Sequence, residues 1–368
     1  MKKVPFVDLH AQYLNIKTEI DTAIHDTIKN SAYIGGQAVK DFEKAFAAYI
    51  GIEHVIACAN GTDSLEILLK AYNIKPGDEV IVPAMSWIST SEAVSSAGAT
   101  PVFVDIEKDF FTIDAGLIEK AITQKTKAII PVHLYGQPAD MPAIMKIAND
   151  HKLIVIEDCA QAHGAKINGR TVGAFGHASS FSFYPGKNLG AYGDAGCMAT
   201  NDFAIAEKTR MIANHGQRSK HDHVMEGRNS RLDGLQAAIL LAKLPHLEKW
   251  TEARIANAAK YDIFFKGTSL IESVKKNGYR NVYHLYTINT GNRAALQKKL
   301  AESGIETSIH YPAALPNLPA YSYLGKTSAD YPVATKLQAE TLSLPMYPEL
   351  SDTDIRFVAE TILNFYKN

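Results

Sequence analysis

Only three cysteines occur in the 368 residues, Cys58, Cys159 and Cys197, an odd number with no Cys-x-x-Cys spacing. That pattern argues against a disulfide framework and against a zinc site. No uninterrupted apolar run approaches the ~18 residues a helix needs to cross a bilayer. The stretch Met1–Asp8 is cut by Pro5 and Asp8 before an apolar leader core can develop. Charge of one sign is not in excess either: 38 Lys and Arg stand against 39 Asp and Glu, a net charge of −1. A dedicated nucleic-acid binder rests on neutralising phosphates, so this balance argues against one while leaving room for a small basic patch for one anionic ligand. Low-complexity segments and fixed-period repeats are missing as well. Together these absences predict a cytoplasmic protein in a reducing compartment, with no metal, membrane or nucleic-acid partner.

Hydrophobic residues are 46% and charged residues 21% of the chain, the balance of a globular protein with a sizeable core. The length suggests two to three domains at roughly 150 residues each. Short apolar, β-branched runs alternate with helical patterns. Val55–Cys58, Glu79–Val82, Pro101–Asp105, Lys127–Val132 and Leu153–Asp158 read as strands. Ser64–Lys70, about Ser91–Ala97 and about Pro142–His151 read as helices between them. Strands apolar on both faces belong between two helical layers, so the fold class is α/β with a mostly parallel central sheet. The large domain is expected at residues 31–245. A long helical pattern from Leu235, interrupted at Pro245 and resuming to about Phe265, leads into a smaller α+β domain at 246–368. That domain should hold a strand at Val282–Ile288, a helix at Asn292–Ser303 and a terminal helix from Ser351. Residues 1–30 form an arm and an N-terminal helix (about Leu14–Lys29) that could pack on either domain.

Three places carry chemistry. Asp158 ends the most apolar strand, at the edge where open α/β sheets bind ligands; it either caps the next turn or faces a bound charge. Lys187 follows Ser180-Phe181-Ser182-Phe183-Tyr184-Pro185-Gly186, a strand running into a turn. It is either a solvated lysine or a reactive one. Ser182 has a hydroxyl placed to donate to an anion, and Gly190, Gly193 and Gly196 permit tight backbone paths beside a ligand. The third place is Ala59-Asn60-Gly61-Thr62-Asp63-Ser64, which opens a helix directly after a strand; its N–H groups and the Thr62 hydroxyl suit a phosphate, or else it is an ordinary helix cap. Pyridoxal phosphate needs such a lysine, a carboxylate for its pyridine nitrogen, a phosphate cup and an aromatic plate. Trp87, just beyond a strand, can supply the plate or be a core residue.

With these residues in hand, the sequence resembles the DegT/StrS-type nucleotide-sugar aminotransferases, in the aspartate-aminotransferase-like fold of pyridoxal-phosphate enzymes (fold type I). Six short motifs carry the resemblance, in order and over nearly the whole chain: Val4–Leu9, Cys58–Ser64, Glu157–Gly164, Ser182–Asn188, Asn229–Asp233 with Gln236–Ala238, and His310–Pro312. The resemblance implies that Lys187 is the Schiff-base lysine and proton shuttle, and that Asp158 pairs with the pyridine nitrogen. It implies that Gln161 reaches the ring hydroxyl, that Gly61, Thr62 and Ser182 hold the phosphate, and that Trp87 lies over the ring. Asn229 would reach the phosphate from the neighbouring subunit, making a homodimer with shared active sites. Lys220 and His223, in the locally basic segment 214–228, would lie near the nucleotide-sugar diphosphate, as would Arg231, which could instead buttress its loop through Asp233. His310 and Tyr311 would line the sugar wall. The text after Pro312, Ala313-Ala314-Leu315-Pro316, departs from the family pattern of a further His or Lys and a Gln; that puts the identity of the substrate in question rather than the cofactor.

The activity implied is transfer of an amino group, with L-glutamate as donor, to a 3- or 4-keto sugar on a nucleotide diphosphate. The product would feed lipopolysaccharide, another surface glycan or a glycosylated metabolite. Three rivals stand beside it. A sugar dehydratase on the same scaffold has histidine in place of the lysine. A non-catalytic regulatory member would lose parts of the cofactor set. An α/β nucleotide-binding protein would hold no pyridoxal phosphate.

Overall fold

A computed structural model describes residues 3–270 and 276–367; Met1 and Lys2 of the N-terminal stretch read above lie outside the described residues. Strands β1 (His54–Cys58), β2 (Glu79–Pro83), β3 (Thr100–Val104), β4 (Thr126–Ile129), β5 (Ile154–Asp158), β6 (Ala178–Ser182) and β7 (Gly196–Thr200) form one sheet in the order β1-β7-β6-β5-β4-β2-β3. Every pairing from β3 across to β6 is parallel. Strand β7 alone runs the other way, antiparallel to both β6 and β1. This is the expected mostly parallel sheet, with one reversed strand that the apolar pattern did not announce.

The sheet is covered on both faces because its strands alternate. Val80 and Val82 of β2 and Ile156 of β5 join one buried cluster, while Ile81 and Val155 between them join another. The helices run α1 (Leu9–Asn15), α2 (Lys17–Lys29), α3 (Gln37–Ile50), α4 (Gly61–Ala71), α5 (Ser89–Ser96), α6 (Ala115–Ala121), α7 (Met141–His151) and α8 (Phe203–Ala213). Helix α4 turns Leu65, Leu68 and Leu69 into the first cluster; helix α7 turns Ile144 and Ala148 into the second. Behind β1, β6 and β7 lies a third cluster built on aromatic rings. Phe46 of helix α3 (Gln37–Ile50) meets Phe181 and Phe183 edge-on at 5.0 and 5.2 Å and stacks on Phe42 at 5.6 Å. All three cysteines are buried in this sheet region, and burial raises each thiol pKa.

Helix α9 (Gly234–Lys243) continues through a short turn at Leu244–His246, where Pro245 sits, into helix α10 (Leu247–Phe265). Strands β8 (Tyr286–Asn289) and β9 (Thr341–Leu344) pair antiparallel. They pack with α10 and the terminal helix Asp352–Phe365 around Tyr261, Phe265, Tyr286, Val358 and Ile362. The arm joins the same cluster through Val4, whose N–H reaches Gly304 O at 2.9 Å. The N-terminal helix starts earlier than expected, at Leu9, where Asp8 caps it, and breaks at Ile16. Buried Ile16 and Ile20 pack there against Ile239 and Trp250. A second correction concerns Val282–Ile288. Only Tyr286–Asn289 is strand; Val282 and Leu285 send their N–H groups to Gly136 and Tyr135 instead. Arg254, nine-tenths buried or more, holds this segment by donating to the carbonyls of Tyr283 and His284 at 3.3 and 3.4 Å and to that of Met346 at 2.9 Å.

Removing the Phe46 ring leaves a cavity at the centre of an aromatic cluster. Phe46→Ala is expected to cost about 3–5 kcal/mol of stability, read from urea unfolding at fixed protein concentration. A loss below about 1 kcal/mol would mean the neighbouring rings close the gap.

Candidate active site

The register of three strands gathers the site. Cys58, Gly196 and Ser182 stand abreast across β1, β7 and β6, and Asp158 stands beside Ser180. The ends of β1, β5 and β6 and the start of β7 therefore share one edge, the carboxyl edge of the parallel strands.

At this edge α4 begins. Asn60 caps it, its side chain taking the Asp63 N–H at 2.8 Å and its carbonyl the Ser64 N–H at 3.2 Å. The N–H groups of Gly61 and Thr62, at the very start of the helix, have no helical carbonyl before them and are open to an anion. The Gly61 carbonyl is pinned from behind by the hydroxyls of Ser64 at 2.6 Å and Ser180 at 3.3 Å, and these two hydroxyls also bond each other. A Cβ on Gly61 would come within 2.7 Å of Ser182 Cβ, so glycine brings the helix start against β6. Thr62 Oγ1 pairs with Ser89 Oγ at 2.7 Å. Ser182 Oγ accepts the Tyr184 N–H at 3.3 Å.

Asp158 is 5% exposed. Thr90 Oγ1 donates to its Oδ2 at 2.8 Å and the Ala160 N–H to its Oδ1 at 3.1 Å. One oxygen thus closes the next turn, as the cap reading expects, and the other is held by the Thr90 hydroxyl. Burial raises its pKa; the two hydrogen bonds and the Lys187 cation pull it back down. The preceding residue, Glu157, points to the other face of the sheet. Its Oε1 accepts the N–H groups of Phe175 and Gly176, both at 2.7 Å, and its Oε2 accepts Gly173 N–H at 2.8 Å and His133 Nε2 at 3.0 Å. His133, Glu157 and Cys159 lie close enough to suggest a metal site. The carboxylate's acceptor positions are already taken by these four donors, so the cluster is a fastening under β5.

Lys187 lies on the loop between β6 and β7, its N–H closing a turn on Tyr184 O at 2.8 Å. Burial pushes its pKa down to about 8, and Asp158 opposes the shift. Gln161 is held at both ends, its Oε1 by the Tyr135 N–H at 2.6 Å and its Nε2 by Tyr311 Oη at 2.9 Å. Trp87 is 58% exposed, not a core residue, and its ring lies 5.5 Å from that of Tyr311. His310 stacks on Phe6 at 5.8 Å and places Nδ1 2.9 Å from Ser343 Oγ; burial and Lys187 lower its pKa to about 4.

Nine of the expected residues thus gather at this edge: Gly61, Thr62, Trp87, Asp158, Gln161, Ser182, Lys187, His310 and Tyr311. Four do not meet it within one chain. Lys220 and His223 are exposed at and beside the turn of a small hairpin, Gln217–Ser219 with Asp222–His223. Asn229 and Arg231 are also exposed, on either side of buried Ser230, whose Oγ accepts the Ala59 N–H at 3.2 Å. Sequence reasoning passed over Thr90, Tyr135, Asn188, Ser230 and His284. A hydroxyl run beyond a strand end, Ser89-Thr90-Ser91, could have flagged the first, and Asn188 and Ser230 stand within the motifs Ser182–Asn188 and Asn229–Asp233 without being singled out; Tyr135 and His284 make long-range contacts with no local signature.

A lysine with a lowered pKa, a buried carboxylate, a helix start with open N–H groups and a glycine-made cradle form the donor set that pyridoxal phosphate requires, so the residues fit that cofactor. Comparison with known proteins leads to the same place. The profile described as the DegT/DnrJ/EryC1/StrS aminotransferase family matches residues 14–363. A relative from Geobacillus stearothermophilus named pleiotropic regulatory protein is 47% identical over 99% of each chain. The UDP-N-acetyl-3-dehydro-alpha-D-glucosamine 3-aminotransferase of Acidithiobacillus ferrooxidans is 44% identical over 98% of this chain and 97% of its own. The crystal structure of S. venezuelae DesV in complex with a ketimine intermediate superposes with a TM-score of 0.97 at 41% identity, over 100% of both chains.

Because a depressed pKa frees the amine at lower pH, modification of Lys187 by a small amine-reactive reagent should rise with a midpoint near pH 8. Exposed lysines should keep rising toward about pH 10.4. Peptide mapping of protein freed of cofactor separates the two; a Lys187 midpoint above pH 10 would show a solvated side chain.

Proposed function

We propose, for a chain that belongs to the DegT/DnrJ/EryC1/StrS aminotransferase family, that it transfers an amino group from L-glutamate to a keto sugar carried on a nucleotide diphosphate. The cofactor is pyridoxal 5'-phosphate, as throughout the family. The observation that carries the reading is Lys187 beside Asp158 at the sheet edge, with the α4 start opposite. When bound, the cofactor supplies a sink for the electron pair left when a C–H bond next to the amine breaks.

The chain's own residues do the rest. With a pKa of about 8, Lys187 is an uncharged amine in roughly a tenth of molecules at pH 7, against fewer than about one in a thousand for a solvated lysine. It can attack a carbonyl carbon and, once displaced, take a proton from one carbon and return it to another. Asp158, held in orientation by Thr90 and Ala160, would face the protonated ring nitrogen as its anion. Gly61, Thr62 and Ser182 would bind the phosphate, Gln161 the ring hydroxyl, and Trp87 would cover the ring. His310 and Tyr311 would line the sugar side, and Lys220, His223 and Arg231 the diphosphate. The dehydratase reading lacks its histidine, since Lys187 stands there. The regulatory name of the 47% relative does not move the reading, because this chain keeps every cofactor group.

The acting unit in this reading is a homodimer in the cytoplasm, with Asn229 reaching the partner's phosphate cup. Two features support it: Asn229 is exposed rather than directed into its own chain's core, and Tyr33, Ile34, Trp87, Tyr184 and Val224 leave apolar area open that a second copy would cover. No described helix is long and apolar enough to cross a membrane. The product would be an amino sugar for lipopolysaccharide, another surface glycan or a glycosylated metabolite.

The test starts with Lys187→Ala. This variant should lose the yellow colour of the bound cofactor and all transamination, and borohydride should fix the cofactor on Lys187 and on no other lysine of the native protein. Near-native turnover by the variant would sink the assignment. A panel of nucleotide-linked keto sugars with L-glutamate then identifies the acceptor.

Shared sites make a second expectation. Asn229→Ala should be strongly impaired alone. Mixed with Lys187→Ala under subunit exchange, it should regain activity, because one heterodimer site receives Lys187 from one chain and Asn229 from the other. Absence of recovery after exchange is demonstrated would remove Asn229 from the partner's site.

A further inference from the structure

The residue after the lysine, Asn188, is 3% exposed and bonded on both sides. Its Nδ2 donates to Val282 O at 3.2 Å, and its Oδ1 faces His284 Nδ1 at 3.1 Å. The proton positions follow. A backbone carbonyl can only accept, so the amide nitrogen must face Val282; the amide oxygen then faces His284, which must donate. Nδ1 carries the imidazole proton and Nε2 does not.

Val282 and His284 lie on a segment that is itself fastened. Val282 N–H reaches Gly136 O at 3.1 Å and Leu285 N–H reaches Tyr135 O at 3.3 Å. A Cβ on Gly136 would lie 2.9 Å from His284 N and from Val282 Cγ2, so the two backbones touch. Arg254 holds the carbonyls of Tyr283 and His284 from the other side. Tyr135 N–H continues to Gln161, and Tyr135 Oη bonds His310 O. The loop bearing Lys187 is thereby joined to the wall formed by Gln161, His310 and Tyr311.

We propose that Asn188 and His284 are positioning residues that hold the turn carrying Lys187 against the Val282–Leu285 segment and so keep its amine half-buried beside Asp158. The inference rests on the reading of Lys187 as the reacting lysine. The charges around that amine leave the work to position. His163, His284 and His310 all feel the Lys187 cation, and burial lowers the pKa of each, so they stay neutral. Arg254 adds a cation near His284, and Asp158 is the anion that favours a charged lysine. If the turn relaxed toward water, the burial that lowers the lysine's affinity for a proton would be lost first.

The test uses the full-length protein with His284→Leu, Asn188→Ala, His284→Asn and His284→Gln. Asparagine sets an amide nitrogen near the place of Nδ1, whereas the longer glutamine sets one near Nε2, away from Asn188. Two readouts are taken: the pH midpoint of Lys187 modification before cofactor is added, and the half-reaction of the loaded enzyme with L-glutamate. His284→Leu and Asn188→Ala should raise the midpoint by a pH unit or more. They should also slow the half-reaction about tenfold with little change in the half-saturating glutamate concentration. His284→Asn should return the midpoint to within about 0.3 pH unit and the half-reaction to within about twofold of native, and His284→Gln should not. The asparagine and glutamine pair decides the matter even if the leucine variant fails to fold. Unchanged midpoints in His284→Leu and Asn188→Ala, or asparagine and glutamine variants that behave alike, would overturn the proposal. If borohydride leaves native Lys187 free of cofactor, the functional reading falls, and the modification midpoints still judge the latch.

Discussion

The close passage of Asn60 across Gly196 is the contact on which the site depends. A Cβ at Gly196 would lie 2.4 Å from the Asn60 carbonyl carbon and 2.8 Å from Gly61 N. Without that bare Cα, the start of α4 could not lie across the first residue of β7. The Asn60–Ser64 turn would then stand away from Ser182, and Lys187's loop would leave β6 in a different direction. Reversal of β7 belongs to the same constraint. An antiparallel strand between β1 and β6 returns the lysine loop to the edge it left, setting Cys58, Gly196 and Ser182 abreast. Below them the four-donor fastening of Glu157 secures β5 just before Asp158.

The pocket so made is electrically sparse. One lysine and one aspartate face each other in a place where burial disfavours the charge of both, which is why Lys187 is drawn down and Asp158 pushed up. Around them stand neutral imidazoles and a tyrosine, Tyr311, that burial keeps protonated. In such surroundings the aspartate is the charge that most directly opposes the lowering of the lysine pKa.

Much of this architecture was legible in the chain. The strands from Val55 to Asp158 announced themselves because a sheet buried on both faces needs apolar residues at every position. Lys187, Asp158 and the Asn60–Ser64 turn were legible because each sits where a strand ends. Strand β7, Gly-Cys-Met-Ala-Thr, was not: with small residues and a single β-branched one, its ladder is set by its neighbours rather than by its own preferences. The break at Ile16 and the irregular path of Val282–Leu285 were equally silent. Burial against Trp250 produces the first, and Gly136 and Arg254 shape the second, all distant in sequence. His284 escaped notice for the same reason, since its partner Asn188 is distant in sequence. Lys220, His223, Asn229 and Arg231 are exposed and stand apart from the residues gathered at the sheet edge.

The three buried thiols can serve as reporters of the sheet edge. Cys58 closes β1, Cys159 follows Asp158, and Cys197 lies in β7 opposite Phe181; all are sealed from solvent with raised pKa values. An oxidant or alkylating agent therefore cannot reach them while the sheet edge is closed, and few thiolates exist to react. They form a silent clock built into the floor of the site, started only when the edge itself opens. The pace of their labelling measures how often the scaffold beneath the lysine comes apart, independently of any chemistry performed above it.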